Sequence, residues 1–126
     1  MSGIVYDAGA LVAAERNDRG LWADHRARLE AGVVPVVPAP VVAQVSRSPR
    51  QAQLRRLLRG CEVLVLDEST AHAVGRLLGR SGTVDIVDAT VVTMAIVTQA
   101  QIVTSDRDDV SRLANAAGAR LVIVEV

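Results

Sequence analysis

The sequence predicts an α/β fold, a central parallel sheet of four to five strands between two helical layers, and two observations predict it. Short Val-rich runs alternate with longer helical stretches along the whole chain, the order that gives a parallel sheet covered on both faces. The apolar half of the composition is mostly Val, Ala, Leu and Ile, with no Phe, one Trp and one Tyr, and aliphatic β-branched runs suit buried parallel strands. A chain of 126 residues is long enough to bury a core and short for two, so residues 1–126 are read as one domain.

The elements follow in order. Gly3–Asp7 is the first strand and ends on an acid; helices over Ala8–Glu15 and Gly20–Glu30 come next. Val33–Val37 is the second strand, limited by Pro35, Pro38 and Pro40, with a helix over Val41–Arg47 behind it. The helix over Pro49–Arg59 has both boundaries written in its letters: Ser48 as N-cap, Pro49 at the first helical position, Gln51 as capping-box partner and Gly60 as the stop. Cys61–Leu66 is the third strand, followed by helices over Ser69–Arg80 and Val84–Gln99. Ile102–Ser105, a helix over Arg107–Ala117 and a last strand over Leu121–Val126 complete the chain. Each strand is short, β-branched and bounded by Gly, Pro or acidic residues.

Net charge is zero, so attraction to nucleic acid must come from a local patch. The charges are segregated: Ala31 to Cys61 holds no acid but carries Arg47, Arg50, Arg55, Arg56 and Arg59, while Asp85, Asp88, Asp106, Asp108 and Asp109 dominate the later stretch. The single cysteine, Cys61, cannot form an intramolecular disulfide, and MSGIVYDAG lacks the features of a signal peptide, so the chain is read as cytoplasmic. No apolar run approaches the roughly 18 residues of a membrane span, and no membrane partner is expected.

Asp7 and Asp106 each follow a strand, which in a parallel sheet brings both to the carboxyl-terminal edge where α/β proteins bind ligands. Each is equally suited to cap the helix that follows it. The helix over Val84–Gln99 is apolar nearly all round and therefore buried, and Asp85 and Asp88 interrupt it one turn apart on the same face. An N-cap and a first-turn acid would account for them. Four converging carboxylates are a different matter, because each pair at about 5 Å repels by roughly 3 kcal/mol at an effective dielectric of 20. A divalent cation removes that repulsion, and oxygen ligands without Cys or well-spaced His favour Mg2+ or Mn2+ over zinc. Such ions activate water and clamp phosphoryl oxygens during hydrolysis.

With IVYDAGALVA near the start, SGTVDIVDATVV in the middle and IVTSDRDD late, the chain resembles the PIN-domain nucleases over nearly its whole length, and within them the VapC-type toxins of bacterial toxin–antitoxin pairs. The resemblance implies a Mg2+-dependent endoribonuclease that hydrolyses RNA phosphodiester bonds, forms a homodimer and is held inactive by a small VapB-like antitoxin. By position, Asp7 matches the family's first acid, Asp88 the acid opening its central helix and Asp106 the acid after its fourth strand; Asp85 is similar to an additional acid beside it. The chain departs from the pattern at VVAQVSR, where Gln44 stands in place of a common glutamate and removes one negative charge. Thr104 and Ser105 precede Asp106 and are candidates to orient it or a water. The Lys-free, Ala/Val/Arg-rich composition suggests a GC-rich genome.

Arg47 and Arg50, nearest Gln44, are the candidate RNA contacts among the arginines of RSPRQAQLRRLLR, since phosphate contacts supply most non-specific affinity; a solvated helix face is the alternative. His25 and His72 lie in polar stretches expected to be exposed, and nothing in their spacing suggests an acid–base pair. Gly79 and Gly82 do not make a phosphate-binding loop, because that pattern ends in Lys-Ser/Thr and the chain contains no lysine. The same absence argues against a receiver domain, which also clusters acids on a small parallel sheet. Two other functions remain open: a non-catalytic binding module on the same scaffold, and a structure-specific DNA nuclease.

Overall fold

The computed structural model describes residues 3–126; Met1 and Ser2, which the sequence reading includes in the domain and in its leader-free start, lie outside the described residues. The described residues form five strands and seven helices: β1 (Ile4–Tyr6), α1 (Ala8–Glu15), α2 (Arg19–Glu30), β2 (Val36–Pro38), α3 (Ala39–Val45), α4 (Ala52–Arg59), β3 (Glu62–Leu64), α5 (Glu68–Ser81), α6 (Ile86–Thr98), β4 (Gln101–Thr104), α7 (Arg107–Ala116) and β5 (Ile123–Glu125). The strands make one sheet in the order β3-β2-β1-β4-β5, with every neighbouring pair parallel.

Both faces of that sheet are covered. Val5 and Tyr6 point to opposite faces of β1 and neither exposes any surface, as the alternation of side chains along a strand requires. Helix α2 packs on the Tyr6 face. Helix α6 packs against β1, β2, β4, α3, α5 and α7, and its seven consecutive residues Ala89–Ala95 are all buried, as expected for a helix apolar on nearly every side. No single described helix is long and apolar enough to cross a membrane.

Most element boundaries shift from the sequence expectation by one to three residues, β2 moving to Val36–Pro38 and α6 starting at Ile86, and two helix starts shift for a clear local reason. Helix α3 starts at Ala39, two residues earlier than expected, because Pro38 takes the cap and Pro40 falls in the first turn, where a missing N–H costs nothing. Helix α4 starts at Ala52, not Pro49. Half of the expected capping box does form, with the Gln51 Oε1 accepting from the Ser48 N–H at 3.0 Å and the Arg47 N–H at 2.7 Å. The Ser48 Oγ, however, accepts from Arg50 N at 3.1 Å, two residues on instead of three, and so closes a turn. Arg55 holds that turn from below by donating to the carbonyls of Pro49 and Ser48 at 3.1 and 3.4 Å. Gly60 ends the helix as expected.

His25 also corrects the sequence reading: it is 97 % buried, being only 3 % exposed. Its Nδ1 lies 2.8 Å from the Tyr6 hydroxyl, and Trp22 meets the ring edge-on with centroids 5.7 Å apart. The Tyr6 oxygen also accepts from Arg28 at 3.1 Å. Burial pushes the Tyr6 hydroxyl up to about 12, against the lowering effect of Arg28. Because Arg28 can only donate, the tyrosine proton is directed to His25 Nδ1. Tyr6→Phe removes the hydroxyl on which both neighbours converge and is expected to cost about 2 kcal/mol, the penalty for leaving buried partners unsatisfied, read as a lower urea midpoint at unchanged slope. An unchanged midpoint would show that water replaces it.

Candidate metal centre

The sheet order reverses direction between β1 and β4, since β1 is followed by β2 on one side and β4 by β5 on the other. At such a switch point the connections leave in opposite directions and open a crevice at the carboxyl ends of the strands. Asp7, directly after β1, and Asp106, two residues after β4, stand there.

Asp7 is 3 % exposed and is held at both oxygens. Its Oδ1 accepts from Ala8 N and its Oδ2 from the Thr104 hydroxyl, both at 2.7 Å. The same hydroxyl oxygen accepts from Asp106 N at 3.0 Å, so Thr104 ties the first acid to the backbone of the second. Burial raises the Asp7 pKa; the bonds from Thr104 and Ala8 pull it down, and the charges of Asp85 and Asp106 add to the rise. Thr104→Val keeps the shape but strips a buried carboxylate of its donor, and should cost ~2 kcal/mol while raising the Asp7 pKa further. Thr104→Ser should restore both, as followed by denaturant unfolding and carboxyl NMR titration.

The two remaining strand and helix ends repeat one another. Asp85 caps α6 by accepting from Asp88 N at 2.9 Å, and Asp106 caps α7 by accepting from Asp109 N at 3.3 Å. In both, the capped residue is another aspartate three positions on. Capping occupies only one oxygen of Asp85 and of Asp106, so it does not compete with a role in the cluster. Asp88, Asp106 and Asp109 each offer a carboxylate oxygen, and these lie within 4.8 Å of one another. Asp88 is half-buried and pushed up to about 7, by burial first and then by the charges of Asp7, Asp85, Asp106 and Asp109. Asp109 is raised chiefly by the Asp106 carboxylate beside it, while Arg112 lowers it.

All four acids singled out in the sequence thus meet electrostatically at Asp88. Asp109 was missed, although its spacing from Asp106 repeats that of Asp88 from Asp85. Arg112, which lines a hollow of about 240 Å³ with Asp85, Asp88 and Asp109, was missed too. Gln44 lies outside the three-carboxylate group, on the exposed side of α3 in a hollow with Ala8, Val12 and Glu15. Ser105 is exposed and packs against Gly9. Arg47 is exposed and donates to the carbonyls of Ala43 and Ser46; Arg50 is exposed on the turn before α4. His72 is exposed, 3.3 Å from Glu68.

The donor set fits a hard divalent cation. Metal–oxygen distances of about 2.0–2.6 Å let one ion bridge oxygens separated as these are, and three carboxylates without a thiolate or imidazole suit a hard cation over a soft one.

Comparison with known proteins agrees with this fold. The profile of the PIN domain matches residues 4–116. Among solved structures, the chain is similar to one of VapBC2 from Rickettsia felis bound to a DNA fragment from its promoter (TM-score 0.73, 17 % identity, 98 % of each chain covered). It is similar also to PAE2754 from Pyrobaculum aerophilum (TM-score 0.67, 17 % identity, 99 % of this chain and 84 % of that one), and to a toxin–antitoxin complex from Klebsiella pneumoniae (TM-score 0.66, 14 % identity, 85 % and 89 %). No curated protein matches. At these identities the structures share the fold, and the profile match carries the assignment: this chain belongs to the PIN domain family, whose members are generally nucleases.

Proposed function

We propose that the chain is a metal-dependent endoribonuclease, the toxin component of a toxin–antitoxin module, held in check by a small cognate antitoxin and acting as a homodimer. The observation that carries the activity is the meeting of Asp88, Asp106 and Asp109 within 4.8 Å at the sheet's switch point, with Asp88 pushed up to about 7 by its acidic neighbours. A protein keeps such repulsion for a use. Asp88, Asp106 and Asp109 would hold Mg2+, or Mn2+ in its place, with Asp7 and Asp85 setting the charge around it. When bound, such an ion supplies an activated water and neutralises charge on the phosphoryl oxygens.

The chain's own residues do the rest. Thr104 fixes Asp7 and the Asp106 backbone in register. Arg112, on the next turn of α7 from Asp109, offers a guanidinium on the acidic side of the crevice suited to a phosphate oxygen. The toxin role and the antitoxin partner are supported by the folds shared with VapBC2 of Rickettsia felis and the Klebsiella pneumoniae complex.

The test is cleavage of total RNA by antitoxin-free protein in Mg2+, Mn2+ or EDTA, beside Asp7→Ala and Asp88→Ala. Metal-dependent fragments with 5′-phosphate and 3′-hydroxyl ends, absent in both variants, are expected. Ends with 2′,3′-cyclic phosphate would implicate the RNA's own 2′-hydroxyl and overturn the mechanism. Intact RNA under every condition would favour a binding module, and preference for DNA in competition would favour a DNA nuclease.

A further inference from the structure

Away from the carboxylate crevice, a groove of about 470 Å³ runs between α2 and α4, with Arg19 and Arg26 on one wall, Arg56 on the other, and His25, Leu29 and Gly60 along its floor. The Arg56 guanidinium is stacked 4.4 Å from the centre of the Trp22 ring, which fixes its charge on the wall. The single acid on the lining is Glu30.

The floor carries a polar atom without a partner. His25 is 3 % exposed and its Nδ1 is taken by Tyr6, whose oxygen accepts from Arg28. Among the described residues Nε2 has no hydrogen-bond partner. It is not sealed in either, since no fully buried side-chain nitrogen or oxygen is left unpaired. The chain of donors sets its state: Arg28 donates to Tyr6, Tyr6 donates to Nδ1, and the neutral imidazole must then carry its proton on Nε2. Burial and the charges of Arg28 and Arg56 keep the ring neutral by lowering its pKa. Gly60 leaves the atom uncovered; a Cβ there would stand 3.1 Å from Nε2.

We propose that this groove is a subsite for a phosphate of single-stranded RNA, bound by the Nε2–H of His25 and by Arg19, Arg26 and Arg56. One fixed N–H donor amid three cations is complementary to an anionic oxygen acceptor. RNA is favoured over an acidic peptide because the proposed ribonuclease must hold a polyanionic strand, and three guanidiniums beside a neutral N–H donor match the oxygens of a phosphate. The subsite rests on the ribonuclease reading for its purpose, not for its chemistry.

The experiment measures binding of a labelled ten-nucleotide RNA by fluorescence anisotropy, in EDTA so that nothing is cleaved, with the full chain. Arg19→Ala/Arg26→Ala changes two exposed side chains, and should weaken binding at least about tenfold and flatten the log–log salt slope by about 1.4, at roughly 0.7 for each lost contact with a single strand. Gly60→Ala, which covers Nε2 and leaves every charge in place, should weaken binding with the slope unchanged. In the unaltered protein the His25 Nε2 resonance should shift on adding the RNA, with the Nε2–H tautomer already present. Unaltered affinity in both variants, or loss of binding to poly-glutamate but not to RNA, overturns the subsite. Metal-dependent cleavage with groove-independent RNA binding would overturn the subsite alone, whereas groove-dependent binding without any cleavage would overturn the nuclease and leave the subsite standing.

Discussion

Asp88→Asn is expected to abolish cleavage and, in the absence of divalent cation, to give a protein that melts at a higher temperature than the unaltered chain. The fold pushes the Asp88 carboxyl from the ordinary 3.8 to about 7, whereas in the unfolded chain it returns to its usual range. The native state therefore favours the protonated form: its stabilising contribution is complete below about pH 4 and is lost as the pH rises through 7. A displacement of that size is worth ~4 kcal/mol at 1.36 kcal/mol per pH unit, and solvent reaching the half-exposed carboxyl reduces it to about 2 kcal/mol. The amide carries no charge at any of these pH values, so at pH 8 the variant should gain roughly 5–10 °C in Tm and at pH 4 almost nothing. Millimolar Mg2+ should raise the Tm of the unaltered chain and leave that of the variant, while RNA cleavage falls at least about a hundredfold, more than the loss typical of a residue that only supports a metal ligand. Equal melting at pH 8 would mean that the acids around Asp88 do not repel it.

Gly9→Ala is expected to do the opposite, weakening the fold and the site together. A Cβ at Gly9 would lie 2.6 Å from the Ser105 Cβ and 2.7 Å from the Ser105 backbone nitrogen, closer than atoms at such positions come. The turn cannot retreat freely, because Thr104 is bonded to Asp7 on one side and to Asp106 N on the other. Overpacking of this kind costs ~2–3 kcal/mol, offset by about 1 kcal/mol of helix propensity for alanine. A net loss of about 1–2 kcal/mol in urea unfolding should accompany a fall in cleavage of roughly a hundredfold, the usual effect of displacing a reacting group by about 1 Å. A stabilised and fully active Gly9→Ala would show that α1 and the Ser105 turn move apart without consequence.

The order and type of all twelve elements were legible because each strand is a self-contained β-branched run and each helix is either striped with apolar residues or, like α6, apolar nearly all round. Boundaries failed where two local preferences compete, as at Ser48, whose hydroxyl closes a two-residue turn before the helix that Pro49 and Gln51 announce. His25 was misjudged for a different reason. Its polar neighbours in the sequence say exposed, while its burial comes from Tyr6, nineteen positions away, and from Trp22. Asp7, Asp85, Asp88 and Asp106 stood out because strand ends and a buried helix make acids conspicuous. Asp109 did not, since SDRDD presents three acids at the exposed start of a helix and only the fold shows that Asp109, not Asp108, stands beside Asp106 and Asp88.

The bond between Thr104 and Asp7 spans ninety-seven positions, and β4 follows β1 in the chain only after β2 and β3, which lie on the other side of β1 in the sheet. Contacts so distant along the chain form late, since loop closure must be complete before they return any free energy. During translation, at about 5–20 residues per second, a ribosome has delivered Asp7 well before Thr104, Asp106 and Asp109 exist. On the nuclease reading, the nascent chain is inert toward its own messenger until the codons for Thr104 to Asp109 have been read, which leaves an inhibitor made beside it time to arrive before there is an activity to inhibit.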